Sequence, residues 1–318
     1  MPAGGSGFDV AVPPGGYRWW YVDALSDCGQ YALVAIAFIG SVFSPYYHWS
    51  GRGRPENHVA FNIALHGPDG RAWAMTERGQ ASLTRSANRL QIGASSLTLT
   101  ADGGLELAFR EIALPWPGQG LLPRRIEGQV RIAATARTVW PFQLDETGQH
   151  FWMPLVPAAS VEVEGNVFAQ RRWIGHAYHD SNWGNRPLQQ DFLGWDWARG
   201  RTERGEVALL YDARLTGGGR RSLALHLGPD GLLHAMPMAA RQTLPRGFWG
   251  VKAGIACDAG DAPEILTRLE DGPFYRRNLV RTRLDGRDWR MMQESLDCTR
   301  LDNPLVRLML PFRMPRRA

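Results

Sequence analysis

At 318 residues, 44% hydrophobic and 21% charged, the chain has room for two domains of ordinary size or one large β domain, and its composition is far from that of a disordered protein. Its net charge of +5 rests on arginine, Lys252 being the only lysine, and the basic residues are spread without a long run. That spread permits attraction to an anionic surface but leaves no nucleic-acid footprint. Cys28, Cys257 and Cys298 are odd in number and lack metal-ligand spacing, which argues against a disulfide framework and a zinc site and fits a reducing cytoplasm.

Met1 to Gly16 is rich in Gly and Pro and has no apolar core, so no secretory signal is expected. Tyr31 to Phe43 is the most apolar stretch. It falls short of the ~20 residues that cross a bilayer, and its β-branched residues and Gly40 predict a buried strand pair. Period-two segments bounded by Gly, Asp and Asn dominate from there on. They predict hairpins over Ser96–Phe109 around Asp102-Gly103-Gly104, over Val161–Arg171 around Gly165-Asn166, over Leu209–Leu227 around Gly217 to Gly219, and around Asp285-Gly286. One helix is predicted, Ala262 to Asp271, with Pro263 suited to a first turn and Gly272 to a stop. Pro304 to Arg317 mixes large apolar side chains with arginines. Such a segment lies on a membrane surface or packs on the barrel as a tail, and Pro311 and Pro315 argue against a long helix.

Ile63-Ala64-Leu65-His66-Gly67-Pro68-Asp69-Gly70 is echoed by Leu223-Ala224-Leu225-His226-Leu227-Gly228-Pro229-Asp230-Gly231 about half a chain later. Two related β domains would carry the same hairpin at the same point, although Pro-Asp-Gly is also a common turn. The expected fold is all-β: two antiparallel barrels in tandem, each with a central cavity as in lipocalins, over residues 1–165 and 166–318, the second ending in the apolar, basic tail.

Chemically able side chains are densest in Trp173 to Gly184, WIGHAYHDSNWG. On a strand His176, Tyr178 and Asp180 share a face, as do His150 and Trp152 just upstream. His176, His179, Trp173 and Trp183 are expected to line a substrate cavity. The run His176-x-x-His179-Asp180 invites a metal reading, but its spacing suits a helix and Gly175 and Gly184 do not, so no metal is expected. Asp-Ser-Asn is also a turn sequence, in which Asp180 would cap backbone amides and stay exposed. Asp191 and Asp196 among Trp195 and Trp197 resemble a glycosidase pair, but packing beneath a domain interface is favoured. His58 is expected to be a satisfied core residue, and most of the 13 Trp are core or rim. No glycine-rich loop joins a strand to a helix, so no nucleotide cofactor is expected.

Gly16-Tyr17-Arg18-Trp19-Trp20-Tyr21-Val22-Asp23, Phe38 to Tyr47 (FIGSVFSPYY), Met75-Thr76-Glu77-Arg78 and Gly175 to Gly184 (GHAYHDSNWG) together resemble the acyclic carotenoid 1,2-hydratases over nearly the whole chain. That resemblance implies two lipocalin-like domains and hydration of the terminal 1,2 double bond of neurosporene, lycopene or a related carotene to a tertiary alcohol, with neither cofactor nor metal. It also implies essential His-x-Trp and Tyr-x-Asp pairs, here His150 with Trp152 and Tyr178 with Asp180. Such an addition needs an acid, a means of holding a tertiary cation, and a placed water. Asp180 is the expected acid, its ionised form disfavoured by an apolar cavity. Trp152 and Tyr178 present aromatic faces to a cation, and His150 is suited to hold the water. The expected partners are an acyclic carotenoid, water and a membrane surface, not nucleic acid; the expected location is the cytoplasm, peripheral on the inner photosynthetic membrane. A cofactor-free cyclase or isomerase of another polyene, and a pigment or lipid carrier, are the competing functions.

Overall fold

Alternation of apolar and polar side chains commits most of the chain to antiparallel sheet. The structure is a computed structural model, and it describes residues 7–115 and 122–317. Its contacts divide the chain into two units. The first takes residues up to Gln143, then Gly148–Pro187 and the end of the chain from Leu308; the second takes Leu144–Thr147 and Leu188–Arg307.

The first unit contains β1 (Tyr17–Ser26), β2 (Ala32–Ile39), the short helix α1 (Pro45–Trp49), β3 (Val59–Gly67), β4 (Gly70–Arg78), β5 (Leu83–Arg85), β6 (Arg89–Ile92), β7 (Ser95–Leu99), β8 (Leu105–Ala113), β9 (Arg124–Ala136), β10 (Phe142–Gln143), β11 (His150–Gly165) and β12 (Arg172–Gly184). The second contains β13 (Phe192–Arg201), β14 (Val207–Leu215), β15 (Gly219–Leu227), β16 (Leu233–Ala235), β17 (Arg241–Thr243), β18 (Gly254–Ala256), β19 (Glu264–Asp271), β20 (Tyr275–Leu284) and β21 (Arg287–Asp297). Helices α2 (Cys298–Leu301) and α3 (Pro304–Met309) follow, and β22 (Arg316–Arg317) adds a short parallel edge to β4.

The two units share one strand order. In the first the sheet runs β22-β4-β3-β2-β1-β12-β11-β9-β8-β7-β6-β5; in the second it runs β16-β15-β14-β13-β21-β20-β19. Each therefore has its first strand in the middle, its next three stepping away on one side, and its last long strand returning to the first. The two Pro-Asp-Gly turns both join the third strand of a unit to the fourth. In the first unit the sheet curls until β8 meets β4, where the Leu114 amide donates to the Trp73 carbonyl at 3.2 Å. Along the described ladder the curl is a half-barrel and does not close into a ring. Its apolar face holds a core around Trp20, Phe61, Leu107 and Val130. A separate cluster around Leu210, Val280 and Met291 fills the second unit.

The four predicted hairpins are present as β7–β8, β11–β12, β14–β15 and β20–β21. Three expectations change. The boundary expected at 165/166 falls in the β11–β12 turn; the contacts divide after Pro187 instead, because β12 pairs with β1 over its last ten residues. Tyr31–Phe43 holds one strand, not two. The chain leaves β2 at Gly40, whose φ of +67° suits glycine and where a Cβ would lie 2.6 Å from the Gly16 carbonyl oxygen, and enters α1 under a Ser44 cap. Ala262–Asp271 is strand β19 rather than a helix. Its proline and glycine bound an edge strand, and ladder hydrogen bonds to β20 with the ion pairs Arg281–Glu264 and Arg277–Glu270 outweigh weak local helix signals.

Candidate active site

Strand β12 lies between β1 and β11, and the register decides which side chains meet. Tyr178 faces Asp23 across the ladder, Asp180 faces Tyr21, and Asn182 faces Trp19 on one side and Trp152 on the other. Directly opposed residues point to the same face of a sheet. One face of this three-strand ribbon thus gathers Trp19, Tyr21, Asp23, Trp152, His176, Tyr178, Asp180 and Asn182. In β11, Pro154 and Pro157 cannot donate to the ladder, and register shifts fall between Met153 and Ala159. His150 and Trp152 precede these shifts and keep their alignment with β12.

Asp180 sits in mid-strand and is only 3% exposed, so it is not the exposed turn cap its Asp-Ser-Asn setting allows. Its carboxylate collects three donors: Trp152 Nε1 donates to Oδ2 at 2.9 Å, the Tyr178 hydroxyl to Oδ2 at 2.9 Å, and Asn182 Nδ2 to Oδ1 at 3.0 Å. Trp152 Nε1 is also 3.2 Å from the Tyr178 hydroxyl. Burial first, then the charge and hydrogen bond of Asp180, push the Tyr178 phenol well above its usual range, so it stays a neutral donor. Three donors favour the carboxylate whereas burial favours the acid. A proton leaving Asp180 therefore leaves behind a carboxylate already solvated by protein donors.

His150 lies at the end of the same face, where its Nδ1 shares a 2.9 Å hydrogen bond with the Tyr17 hydroxyl and its ring stacks on Tyr17 at 5.8 Å. Gly184 makes room for this pair: a Cβ there would come within 2.5 Å of His150 Nδ1 and 2.6 Å of the Tyr17 ring. Tyr17 in turn stacks on Trp19 at 5.0 Å.

Residues 35–318 match the family described as "Carotenoid hydratase CrtC". The chain belongs to the carotenoid hydratase family. It is 45% identical over 99% of its length to an acyclic carotenoid 1,2-hydratase of Thiocapsa roseopersicina and 42% identical over 98% to one of Rubrivivax gelatinosus, covering 76% of each. Among solved structures, a putative AttH of Nitrosomonas europaea shares the fold, with a TM-score of 0.60 at 13% identity over 88% of this chain and 91% of that one. The architecture is that lipocalin-like, mostly β arrangement.

Of the eight residues that this family's sequence pattern and its dense motif single out, Trp152, Tyr178 and Asp180 meet in one hydrogen-bonded group. His150 shares their face next to Tyr17, and half-buried His176 lies two positions along from Tyr178. The other three point the opposite way. His179 is buried against the core, with Nδ1 donating to the Tyr21 carbonyl at 2.8 Å, and burial holds its pKa down at about 4. Trp173 stacks on Tyr31 at 6.1 Å within the core. Trp183 stacks on Phe151 at 5.4 Å, and the buried Arg18 guanidinium lies 4.7 Å over its ring. A period of two separates 173, 179 and 183 from 178 and 180, which proximity in sequence conceals. It also sends His176 and His179 to opposite faces, and among the described residues no group of three or more His, Cys, Asp and Glu is arranged to hold a metal.

Asn182, Tyr17 and the buried Asp23 join the site without having been singled out. Asn182 was within reach, since it continues the alternation 176, 178, 180. Tyr17 and Asp23 depend on the pairing of β1 with β12, more than 150 residues apart in sequence for most of its register. Asp196 has a structural role. It accepts from Arg241 Nε at 2.6 Å, the Gly254 amide at 3.1 Å and Ser295 Oγ at 2.5 Å, while Trp195 packs on Phe192 and Tyr211. His58 is satisfied at 2.7 Å by Glu77 Oε1.

Proposed function

We propose that the chain adds water to the terminal C1=C2 double bond of an acyclic carotene, with Asp180 as the acid. The observation that carries this reading is the buried Asp180 with Trp152, Tyr178 and Asn182 donating to it, in a chain of the carotenoid hydratase family.

The transferable proton is carried on the Asp180 carboxyl, whose Oδ2 accepts from Trp152 and Tyr178 and whose Oδ1 accepts from Asn182. The π electrons of the alkene take that proton to form a C2–H bond and leave a tertiary cation at C1. Asp180 becomes a carboxylate, held by the Trp152, Tyr178 and Asn182 donors, and this stabilisation develops as the proton leaves. The aromatic faces of Trp152, Tyr178 and Tyr21 attract the cation, by about 2 kcal/mol for a desolvated ring. Water attacks C1, and its surplus proton passes to His150 and then, through solvent, back to Asp180. The sum is one water added per double bond, with no net oxidation, so no redox cofactor takes part. Because an acyclic carotene is dissolved in lipid, we place the reaction at the cytoplasmic surface of the inner photosynthetic membrane, with the protein peripheral. No helix among the described residues is long and apolar enough to cross a membrane.

The test is anaerobic incubation with dispersed lycopene in H₂¹⁸O without added cofactor, read by mass. A labelled tertiary alcohol from the wild type and none from Asp180→Asn supports the reading. A product of unchanged mass indicates a cyclase or isomerase, and bound but unaltered lycopene a carrier.

A further inference from the structure

Helix α3 and the turn after it carry Leu305, Leu308, Met309 and Phe312 at the spacing i, i+3, i+4, i+7, which places them on one helical face. In a globular protein that stripe faces the core. Here it faces outward: the four side chains are 72%, 61%, 42% and 83% exposed, whereas Arg307 on the same helix is buried and paired with Asp302. The amphipathic helix is inside out with respect to its own protein.

The segment is held firmly at both ends. Asp297 caps α2 through the Thr299 and Arg300 amides. At the other end β22 pairs with β4, and Arg316 donates to the fully buried Glu77. Charge selects the partner: residues 298–317 contain five arginines against one aspartate. Exposed Leu, Met and Phe among basic residues match the boundary between lipid headgroups and acyl chains.

We propose that the outward face of α3 and the turn after it inserts into the surface of an anionic membrane. This specifies the contact surface for the peripheral location above and rests on that reading. Its test needs no turnover. Wild-type protein and the variant Leu305→Ser/Leu308→Ser/Phe312→Ser are sedimented with vesicles of phosphatidylcholine with and without phosphatidylglycerol. Both proteins are also assayed on detergent-dispersed lycopene.

The wild type is expected to sediment with the anionic vesicles. The triple variant should lose affinity by about tenfold or more while keeping its melting temperature. Equal vesicle binding by the triple variant and the wild type overturns the proposal. So does a wild type that ignores vesicles but dimerises through this face, dissociating to monomer in the triple variant. If vesicle binding follows the prediction but neither protein hydrates dispersed lycopene, the docking surface stands and the proposed activity falls.

Discussion

Asp180 has three neighbours that donate to it, and each donor should matter more to the departing proton than to the resting site. Tyr178→Phe removes one donor and leaves the ring. Its expected effect is a fall in kcat of about 100-fold, the usual cost of deleting one preorganised donor, with KM little changed; initial rates from product mass against substrate concentration check this. His179 contributes to stability instead. Its pKa falls from the usual histidine value of 6.5 to about 4 in the folded protein, through burial. Between those values the unfolded chain takes up a proton that the folded one refuses. Stability should therefore decline as pH drops from 6.5 towards 4, by an amount on the order of 3 kcal/mol, and be unaffected above pH 6.5. Thermal melts over that range should show a shallower decline for His179→Gln; an equal slope would assign the acid lability to other groups.

At the scale of elements, short signals misled where long-range pairing decided. Pro263 and Gly272 look like helix punctuation, yet the residues between them gain more from the β20 ladder and cross-strand ion pairs than from an isolated helical stretch of ten residues. Hairpins were legible because their turn chemistry is local. The β22 clamp was not, since Arg316 and Glu77 are 239 residues apart. Removing Arg316 leaves a fully buried carboxylate without its guanidinium, so Arg316→Ala should destabilise by about 3 kcal/mol. Glu77→Gln in the same chain should restore part of the loss, a non-additivity that a denaturant-based double-mutant cycle measures. Simple additivity would mean that the pair does not couple.

At the scale of the whole molecule, the described apolar clusters of the two units share no residue. Core truncations such as Phe61→Leu and Val280→Ala should each cost about 1–3 kcal/mol in equilibrium unfolding, and a cost below about 0.5 kcal/mol would mean that the site collapses around the lost volume. The sequence by itself determined the all-β class, the hairpins, the family, and a pattern of two that puts His150 with Trp152 and Tyr178 with Asp180. All of these depend on residues near one another in the chain or on an ordered set of motifs. Tertiary structure alone decided that β12 belongs to the first unit, that Asp23 and Tyr17 share a sheet face with Asp180, and that the apolar stripe of α3 faces outward. Periodicity reveals that a strand or helix has two faces. Which face is covered is settled only by the strands and ion pairs brought to it from far along the chain.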